Sequence, residues 1–149
     1  MHILRGGIIH LAQLSVLFDL YRQFHRQPSD IKSATEFVKM RLNNRDSVFL
    51  IAVTDKGEGM GFTQLFPSFS SVAMQKTWVV NDLYVDVPFR NRGVATSLMQ
   101  ATKQFSRQSG AFSLKLATAK NNTQAKAIYK KVGFKQLTEF DYYTLVEKS

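Results

Sequence analysis

A stretch of seven residues near the middle of the chain has the composition of an anion-binding turn. It lies between an apolar, strand-like run and a run with helical periodicity. A helix that begins near Gly93 directs unpaired backbone N–H groups and the positive end of its dipole at whatever lies in front of it. Gly93 lets an anion approach the backbone closely, and Arg90 and Arg92 can add charged hydrogen bonds. We therefore predict a cradle for a group of pyrophosphate size, formed by Arg90, Asn91, Arg92, Gly93, Val94, Ala95 and Thr96.

The position of the glycine differs from that in two other phosphate-binding motifs. A P-loop would need Gly-Lys followed by Ser or Thr, and a dinucleotide-binding turn would need Gly-x-Gly-x-x-Gly. Neither pattern occurs in residues 90–96. The local pattern thus predicts the charge and size of the ligand but leaves its identity open.

Basic residues are concentrated around this turn. The chain has 20 Lys and Arg residues against 11 Asp and Glu residues, a net charge of +9. Residues 87–138 contain ten of the basic residues and no acidic residue. A basic region of this kind is typical of proteins that bind a polyanion. RNA readers also expose aromatic side chains, but the aromatic residues here fall at positions that we assign to packing or to a ligand, so nucleic acid is not the expected partner.

Length and composition indicate one folded domain spanning residues 1–149. The 44% of hydrophobic and 21% of charged residues are ordinary for globular proteins. The absence of cysteine excludes disulfides, thiolate metal sites and a cysteine nucleophile, and three scattered histidines give a metal site no support. No run reaches the roughly 18 apolar residues that a membrane span needs, so we expect a cytoplasmic protein without a membrane partner.

Periodicity and turn residues predict a mixed α/β order of elements. Two helices come first, three strands follow, and helix, strand, helix and strand then alternate. Ser33 and Glu36 fit a capping box that would start the second helix and turn Phe37, Met40 and Leu42 inward. Pro67 and its neighbouring serines predict a loop. The predicted helices are 8–24, 33–42, one from Val94 to a stop at Gly110 and one between Asn122 and Gly133, and the predicted strands are 47–53, 60–66, 76–85, 111–119 and 139–147.

Two motifs in the second half of the chain resemble those of the GCN5-related N-acetyltransferase (GNAT) family. The family's pyrophosphate motif, Arg/Gln-x-x-Gly-x-Gly/Ala, is matched by Arg90, Gly93 and Ala95. The second motif follows about 20 residues after the stretch 81–99, which contains the first one. It consists of an Asn that starts a helix, an alanine-rich turn, a Tyr and a terminal Gly-Phe. Its matches are Asn122, Ala125, Ala127, Tyr129, Gly133 and Phe134.

The resemblance implies the family's single-domain α/β fold over essentially the whole chain. A mixed central sheet would have antiparallel strands in its N-terminal part and a splayed pair of strands beside the pyrophosphate turn, and about four helices would flank it. The family often has one more N-terminal strand than the pattern of this sequence predicts. The resemblance leaves open whether the chain is a monomer or a homodimer.

The resemblance also implies acetyl-CoA as the acetyl donor. The pantetheine arm would lie between the splayed strands and pair with backbone groups of Leu83, Tyr84 and Val85, and the pyrophosphate would rest on residues 90–96. The implied contacts from the following helix are Asn122, Tyr129 and, at the nucleotide end, Lys131. CoA carries about four negative charges, which would explain much of the basic region without nucleic acid.

The implied reaction is direct acetyl transfer to a primary amine, which must lose a proton while the departing thiolate gains one. Tyr129 matches the family's proton donor. Relatives in the diamine acetyltransferase-like branch carry a Glu where this chain has Asn81, and Asp82 follows. Because neighbouring strand residues point to opposite faces, we expect Asn81 and Asp82 to diverge. The base is then Asp82 or a water molecule, and His25 is a further candidate for a base or a substrate contact.

Three functions remain open at this point. The leading interpretation is an N-acetyltransferase that acts on an amine of an unidentified small molecule or protein. The departure at Asn81 keeps open a catalytically weak CoA-binding module, and the charge of +9 keeps open an RNA-associated basic module.

Overall fold

The computed structural model describes residues 1–148, which form one five-stranded sheet with helices on both faces. The strand order is β1-β2-β3-β4-β5. The predicted α/β class, mixed sheet and four helices are confirmed. The elements are β1 (His2–Arg5), α1 (Leu11–Phe24), α2 (Ile31–Asn44), β2 (Val48–Val53), β3 (Gly59–Ser70), β4 (Gln75–Val85), α3 (Val94–Gln108), β5 (Ser113–Leu116) and α4 (Thr123–Val132), with short 3₁₀ turns at Ile8–His10 and Val87–Phe89.

The sheet is antiparallel from β1 to β4, whereas β4 and β5 run parallel. β5 pairs only with Thr77–Val80, while β4 continues to Val85. The last five residues of β4 therefore have β3 on one side and no strand on the other. This divergence confirms the predicted splayed pair, and it places a gap beside the turn that follows β4.

Two hydrophobic clusters hold the helices to the sheet. On one face, Leu14 and Leu17 of α1 and Val38 of α2 pack against strand residues such as Phe62. On the other face, Leu98 and Met99 of α3 pack with buried residues of β2, β3 and β4. The apolar stripe at helical spacing thus determines which side of each helix faces the sheet. Within residues 1–148, none of the helices combines the length and apolarity needed to cross a bilayer.

The structure corrects two strand predictions. The sequence pattern does not predict β1, because this strand has only four residues and all of them are at least partly exposed. The predicted loop at Pro67 is wrong, since β3 continues through it to Ser70. β2 pairs with β3 only as far as Leu65, so beyond that point one edge of β3 is free. A proline, which lacks an N–H group, fits such an edge without the loss of a ladder hydrogen bond.

The start of α2 also differs from the prediction. α2 begins at Ile31, and its cap is the Asp30 carboxylate, which accepts a hydrogen bond from the Ser33 N–H at 3.1 Å. The buried residues of α2 are Ala34 and Val38. Of the three residues that the helix pattern predicts to face inward, Phe37 is 39% and Met40 is 54% exposed, so these two are wrong, whereas Leu42 packs against the cluster on this face. The smaller side chains face α1 and the sheet because they allow the closest approach of the helix backbone.

The predicted last strand, 139–147, is not formed. Residues 135–148 contain no helix or strand, although their sequence has the alternation that favours one. A strand exists only where a neighbouring strand satisfies its backbone groups, and here the segment does not pair with any strand of its own chain. The alternation of residues 139–147 correctly indicates strand propensity, but it cannot show whether a neighbouring strand is present to pair with.

Candidate functional site

The turn after β4 has the geometry of an anion cradle. Its backbone has positive φ angles at Asn91 (62°) and Gly93 (77°), and Gly93 caps α3. The first helical hydrogen bond runs from the Ser97 N–H to the Gly93 carbonyl at 3.0 Å. The N–H groups of residues 94–96 therefore lack intrahelical partners. A Cβ atom built on Gly93 would meet nothing within 4 Å, so the space in front of these groups is open to a ligand.

The side chains of the turn have different surroundings. Val94 is buried in the core, so it can offer a ligand only its backbone. Arg92 extends past the Phe89 ring, with the guanidinium carbon 6.0 Å from the ring centroid. Ala95 and Thr96 are half-buried in the first turn of α3. The small and half-exposed residues thus surround the free N–H groups, as the sequence predicts for a cradle.

Arg90 does more than border the cradle. Its Nε donates a hydrogen bond to the Val85 carbonyl at 2.9 Å. Its guanidinium carbon lies 5.6 Å from the ring centroids of both Phe24 and Tyr84. Arg90 therefore connects the turn to the end of α1, a contact that the sequence does not reveal. Cation–π contacts of this kind stabilise by about 0.5–2 kcal/mol.

The end of β4 exposes backbone along the gap. Leu83 and Val85 pack on the α3 side, and Tyr84 packs on the α1 side, so all three side chains face away from the gap. Their β5-facing edge lies beyond the paired segment Thr77–Val80. The Val85 carbonyl already accepts the hydrogen bond from the Arg90 Nε, so the other backbone groups along this edge are the ones available to an extended ligand.

A β-bulge in β4 places Asn81 and Asp82 on one side of the strand. Gln64 pairs with Asp82 and Leu65 pairs with Val80, so Asn81 is an extra residue in β4. The Asn81 Nδ2 donates a hydrogen bond to the Asp82 Oδ2 at 3.1 Å. The prediction that these two side chains diverge is wrong, because a bulge interrupts strand alternation. No local sequence pattern marks this bulge.

Asp82 is a buried carboxyl group at the mouth of the gap. Only 7% of the residue is exposed. Burial raises the pKa of Asp82, while the nearby Tyr21, Asn81 and His25 oppose part of that shift. A carboxyl group with a raised pKa beside a cleft is a candidate for proton transfer.

Tyr21 and His25 of the α1 end lie over Asp82. Their ring centroids are 4.6 Å apart, and the Tyr21 ring is 6.2 Å from that of Tyr84. Burial, followed by the negative charge of Asp82, raises the pKa of Tyr21. In the sequence Tyr21 is one apolar-face residue among many. The hydroxyl group of Tyr21 is the only local hint that this residue could contact the site. The contact with Asp82 itself is seen only in the packing of α1 on β4.

The loop that follows α1 is fastened by Asp19. This buried carboxylate accepts hydrogen bonds from the Ser29 Oγ at 2.7 Å, the Asp30 N–H at 2.7 Å and the Gln23 Nε2 at 3.1 Å. These hydrogen bonds, of which the one from Ser29 has the largest effect, lower the pKa of Asp19. The loop that carries His25 is therefore held in a defined position beside the site.

α4 supplies the remaining predicted residues. Tyr129 is half-buried, its pKa is raised by burial, and its charge also contributes to the raised pKa of Tyr21. The Oδ1 of Asn122 accepts a hydrogen bond from the Ala125 N–H at 3.2 Å, so it caps α4. Lys131 is exposed and on the last turn of α4. The structure thus brings both Asp82 and Tyr129 close to Tyr21, while Lys131 is exposed at the far end of α4.

A groove of about 750 Å³ extends from the cradle along α3. Thr96, Gln100, Lys103 and Arg107 contribute to its lining. The Lys103 Nζ also donates to the Val132 carbonyl at 3.0 Å and so joins α3 to α4. In the sequence analysis Lys103 and Arg107 contribute only to the count of basic residues. Their spacing on α3 is the sign that they share a face with Thr96.

Comparisons with known proteins agree with this arrangement. The model of the Acetyltransferase (GNAT) family matches residues 14–134. An uncharacterized N-acetyltransferase of Bacillus subtilis, YhfO, is 41% identical over 145 residues, which is 97% of each chain.

Solved structures give the same result for the fold. The crystal structure of a probable acetyltransferase superposes with a TM-score of 0.94 at 35% identity and covers 100% of this chain and 99% of that one. A ribosomal-protein-alanine N-acetyltransferase from Brucella melitensis gives a TM-score of 0.80 at 18% identity over 98% and 99% of the chains, which shows the fold alone. With the family match over residues 14–134, these findings show that the chain belongs to the GNAT family of N-acetyltransferases.

Proposed function

We propose that residues 1–149 act as one domain that transfers an acetyl group from acetyl-CoA to a primary amine. The observation that carries the proposal is the open cradle at Gly93, which follows the end of β4 that has no β5 partner and that also carries the buried Asp82. Free N–H groups at a helix start bind phosphate groups, and the gap can hold an extended arm.

Acetyl-CoA would bind along the gap through backbone and basic groups. The pyrophosphate would accept hydrogen bonds from the N–H groups of residues 94–96, with Arg92 beside it. The pantetheine amides would pair with the free edge of Leu83–Val85. The nucleotide phosphates would meet Lys103 and Arg107 in the groove along α3, so these two residues join Lys131 as candidates for that contact.

The chemistry would need one proton acceptor and one proton donor. The amine nitrogen attacks the thioester carbonyl carbon, a C–N bond forms and the C–S bond breaks. The Tyr129 hydroxyl gives its proton to the departing sulfur, and the raised pKa of this phenol keeps it protonated near neutral pH. The amine proton passes to Asp82, directly or through a water held by Asn81. The raised pKa of Asp82 makes it a stronger base than an exposed carboxylate.

The acceptor is the least determined part of the proposal. A small-molecule amine and a protein amino group both remain candidates. The Brucella melitensis protein is named for an alanine acceptor on a ribosomal protein, but at 18% identity its acceptor does not carry over to this chain. The net charge of +9 disfavours strongly cationic acceptors such as polyamines, because like charges repel at the entrance. A cytoplasmic location and a homodimer stay predictions.

A CoA-binding module with weak catalysis is the second candidate. The observation in its favour is Asn81, an amide where the diamine acetyltransferase-like relatives carry a carboxylate. Asp82 weakens this alternative, because the bulge brings its carboxylate beside Asn81. An RNA-associated role has only the basic charge in its favour.

Three measurements separate these functions. Release of CoA thiol from acetyl-CoA should depend on an added amine, tested over a panel of amino acids, aminoglycosides and peptides with free N-termini. Calorimetry with acetyl-CoA should give binding whether or not an acceptor is found. Binding without turnover for any amine would favour the module, and no binding would refute the proposal. RNA affinity that falls steeply with salt and persists with saturating CoA would favour the third function.

A further inference from the structure

Tyr21 carries a hydroxyl group that its packing does not require. The ring lies on the face of the sheet that α1 covers, with its centroid 5.9 Å from that of Phe62 and 6.2 Å from that of Tyr84. A phenylalanine ring would make these edge-on contacts equally well. A tyrosine hydroxyl among packed rings usually has a hydrogen-bond partner. The packing therefore explains the ring of Tyr21 and leaves its hydroxyl group to be accounted for.

The register of the strands identifies the polar group beside Tyr21. Phe62 of β3 pairs with Tyr84 of β4. Two residues earlier on β4, Asp82 pairs with Gln64. Because residues two apart on a strand share a face, Asp82 lies next to Tyr84 on the face that α1 covers. The Tyr21 hydroxyl donates a hydrogen bond to the Asp82 carboxylate. Its partner is thus the carboxyl group that the proposed function uses as the base.

A buried carboxyl group needs hydrogen-bond donors to stay charged. Asp82 is only 7% exposed, and burial favours its neutral form, which cannot take up a proton. Tyr21 and Asn81 oppose this effect through hydrogen bonds, and His25 opposes it through its charge. The contribution of Tyr21 is the largest of the three and that of His25 is the smallest. The charged form of Asp82 therefore depends more on α1 than on its neighbour in β4.

The other groups around Asp82 do not replace Tyr21. On β3, the Thr63 hydroxyl donates to the backbone carbonyl of Asp82 at 2.8 Å, not to its carboxylate. The Gln64 side-chain nitrogen donates to a serine hydroxyl at 3.2 Å. Within residues 1–148, Asp82 forms no salt bridge. From α4, Tyr129 acts on Tyr21 through its charge. Tyr21 is thus the principal donor to the carboxylate.

The end of α1 is anchored well enough to hold this contact. Two residues before Tyr21, the Asp19 carboxylate accepts hydrogen bonds from the Ser29 Oγ and the Asp30 N–H, both at 2.7 Å. Leu17 of the same helix is buried in the hydrophobic cluster on this face. A side chain on a fixed helix holds its partner more closely than one on a loop. The hydroxyl group of Tyr21 is therefore held against β4 from both ends of this turn of α1.

We propose that Tyr21 is a positioning residue of the transfer reaction: its hydroxyl group donates to the Asp82 carboxylate and holds it charged and oriented for the amine. The inference rests on the proposed function, because it assigns Tyr21 to the base of that reaction. During transfer the amine proton passes to Asp82, while the O–H bond of Tyr21 stays intact. Tyr21 therefore acts through Asp82 and neither gains nor loses a proton.

A titration of Asp82 tests the contact in the full chain without coenzyme or amine. NMR follows the side-chain carboxyl carbons of isotope-labelled aspartate, and the Asp82 signal is identified by its loss in Asp82→Asn. The midpoint should be higher in Tyr21→Phe than in the wild type, and the rise should exceed that in His25→Gln. Phe18→Leu is the control, because its ring lies 6.3 Å from that of Tyr21 and carries no hydroxyl. An unmoved midpoint in Tyr21→Phe, or an equal rise in Phe18→Leu, would overturn the proposal.

A pH profile tests the part that Tyr21 plays in the reaction. The probe is the amine of the panel above that releases most CoA. In Tyr21→Phe, kcat at neutral pH should fall about 10-fold, the acid limb of the kcat profile should move to higher pH, and acetyl-CoA affinity should not change. An unmoved acid limb in an active enzyme would overturn the proposal. A chain that binds acetyl-CoA and turns over no amine would instead refute the proposed function, and the reaction role of Tyr21 with it.

Discussion

Residues 1–106 and residues 107–148 differ sharply in how they are stabilised. Every buried residue of the described chain except Val132 lies in the first group. There, both faces of β2 are covered, and all six of its residues are buried. In the second group, β5 has four residues, and none of them is buried. Burial of apolar area is the main source of stability, so the first group must provide most of it.

This difference gives the two sides of the candidate site unequal rigidity. The cradle and the bulge are built on β4, whose other edge is fixed by a long ladder to β3. Tyr129 is on α4, which is fixed to the body mainly through α3 and the Lys103–Val132 hydrogen bond. Sites on rigid strands hold their geometry more closely than sites on sparsely packed elements. The β4 side of the candidate site is therefore the more rigid one, and the α4 side is the less densely packed one.

The largest expected effect is on coenzyme binding. Gly93→Glu places a side chain with a negative charge in the open cradle, and we expect acetyl-CoA affinity to fall more than about 1,000-fold, or ~4 kcal/mol. Calorimetry measures it. Gly110→Glu is a matched control, because Gly110 also has a positive φ (75°) and open space but lies at the other end of α3. Equal losses in both variants would mean that the effect comes from backbone strain.

The next effect is on the stability of the densely packed group. A Cβ atom at Gly61 would lie 2.6 Å from the Tyr84 carbonyl oxygen, where β3 and β4 approach closely. Gly61→Ala should reduce the free energy of unfolding by about 3 kcal/mol. For a chain of this length that is a fall in Tm of about 10 °C. Gly7→Ala, where a Cβ meets nothing within 4 Å, should change Tm little. A small effect at Gly61 would show that β4 can shift.

A smaller effect is expected for Tyr129 on α4, where a substitution should lower turnover without weakening the binding of acetyl-CoA. Tyr129→Phe removes the proposed proton donor and keeps the ring contact with Phe134, whose centroid is 5.9 Å away. Turnover should fall about 100-fold, while acetyl-CoA affinity should stay within about threefold. Tyr143→Phe, at an exposed hydroxyl, is the control for loss of a phenol. Unchanged turnover in Tyr129→Phe would exclude this residue as the acid.

The smallest expected effect is a pH-dependent change in the free energy of unfolding when Asp82 is replaced. Because burial raises the pKa of Asp82 in the folded state, its charged form destabilises the fold at neutral pH. Asp82→Asn should then increase the free energy of unfolding by about 1 kcal/mol at neutral pH, while turnover falls. The gain should fade as the pH drops through the raised pKa of the folded state and vanish below the unfolded value of 3.8, because only there is the wild-type carboxyl protonated in both states. Thermal unfolding at several pH values measures the gain, with exposed Glu58→Gln as the control. A gain that grows toward acid would contradict the raised pKa.

Much of the fold follows from the sequence because its causes are local. The helix that starts after Gly93, the cap at Asn122 and the stop at Gly133 are all predicted, and each depends on residues within one turn. The cradle follows for the same reason. β1 does not, since four exposed residues carry too little pattern, and Phe37 is misplaced because the choice of buried face depends on what packs against α2.

Residue types and spacing alone decided the family and the conformation of the turn before α3, because backbone conformation at a helix start depends on nearby residues. The role of Tyr129 as proton donor stays a prediction that its motif implies. Tertiary structure decided the rest. The bulge that turns Asn81 toward Asp82 comes from the register between β3 and β4. The contact of Tyr21 with Asp82 comes from the packing of α1, and residues 135–148 find no strand partner in the described chain despite their strand-like sequence. Such contacts join residues far apart in the chain, and a local pattern contains no information about which of them will meet.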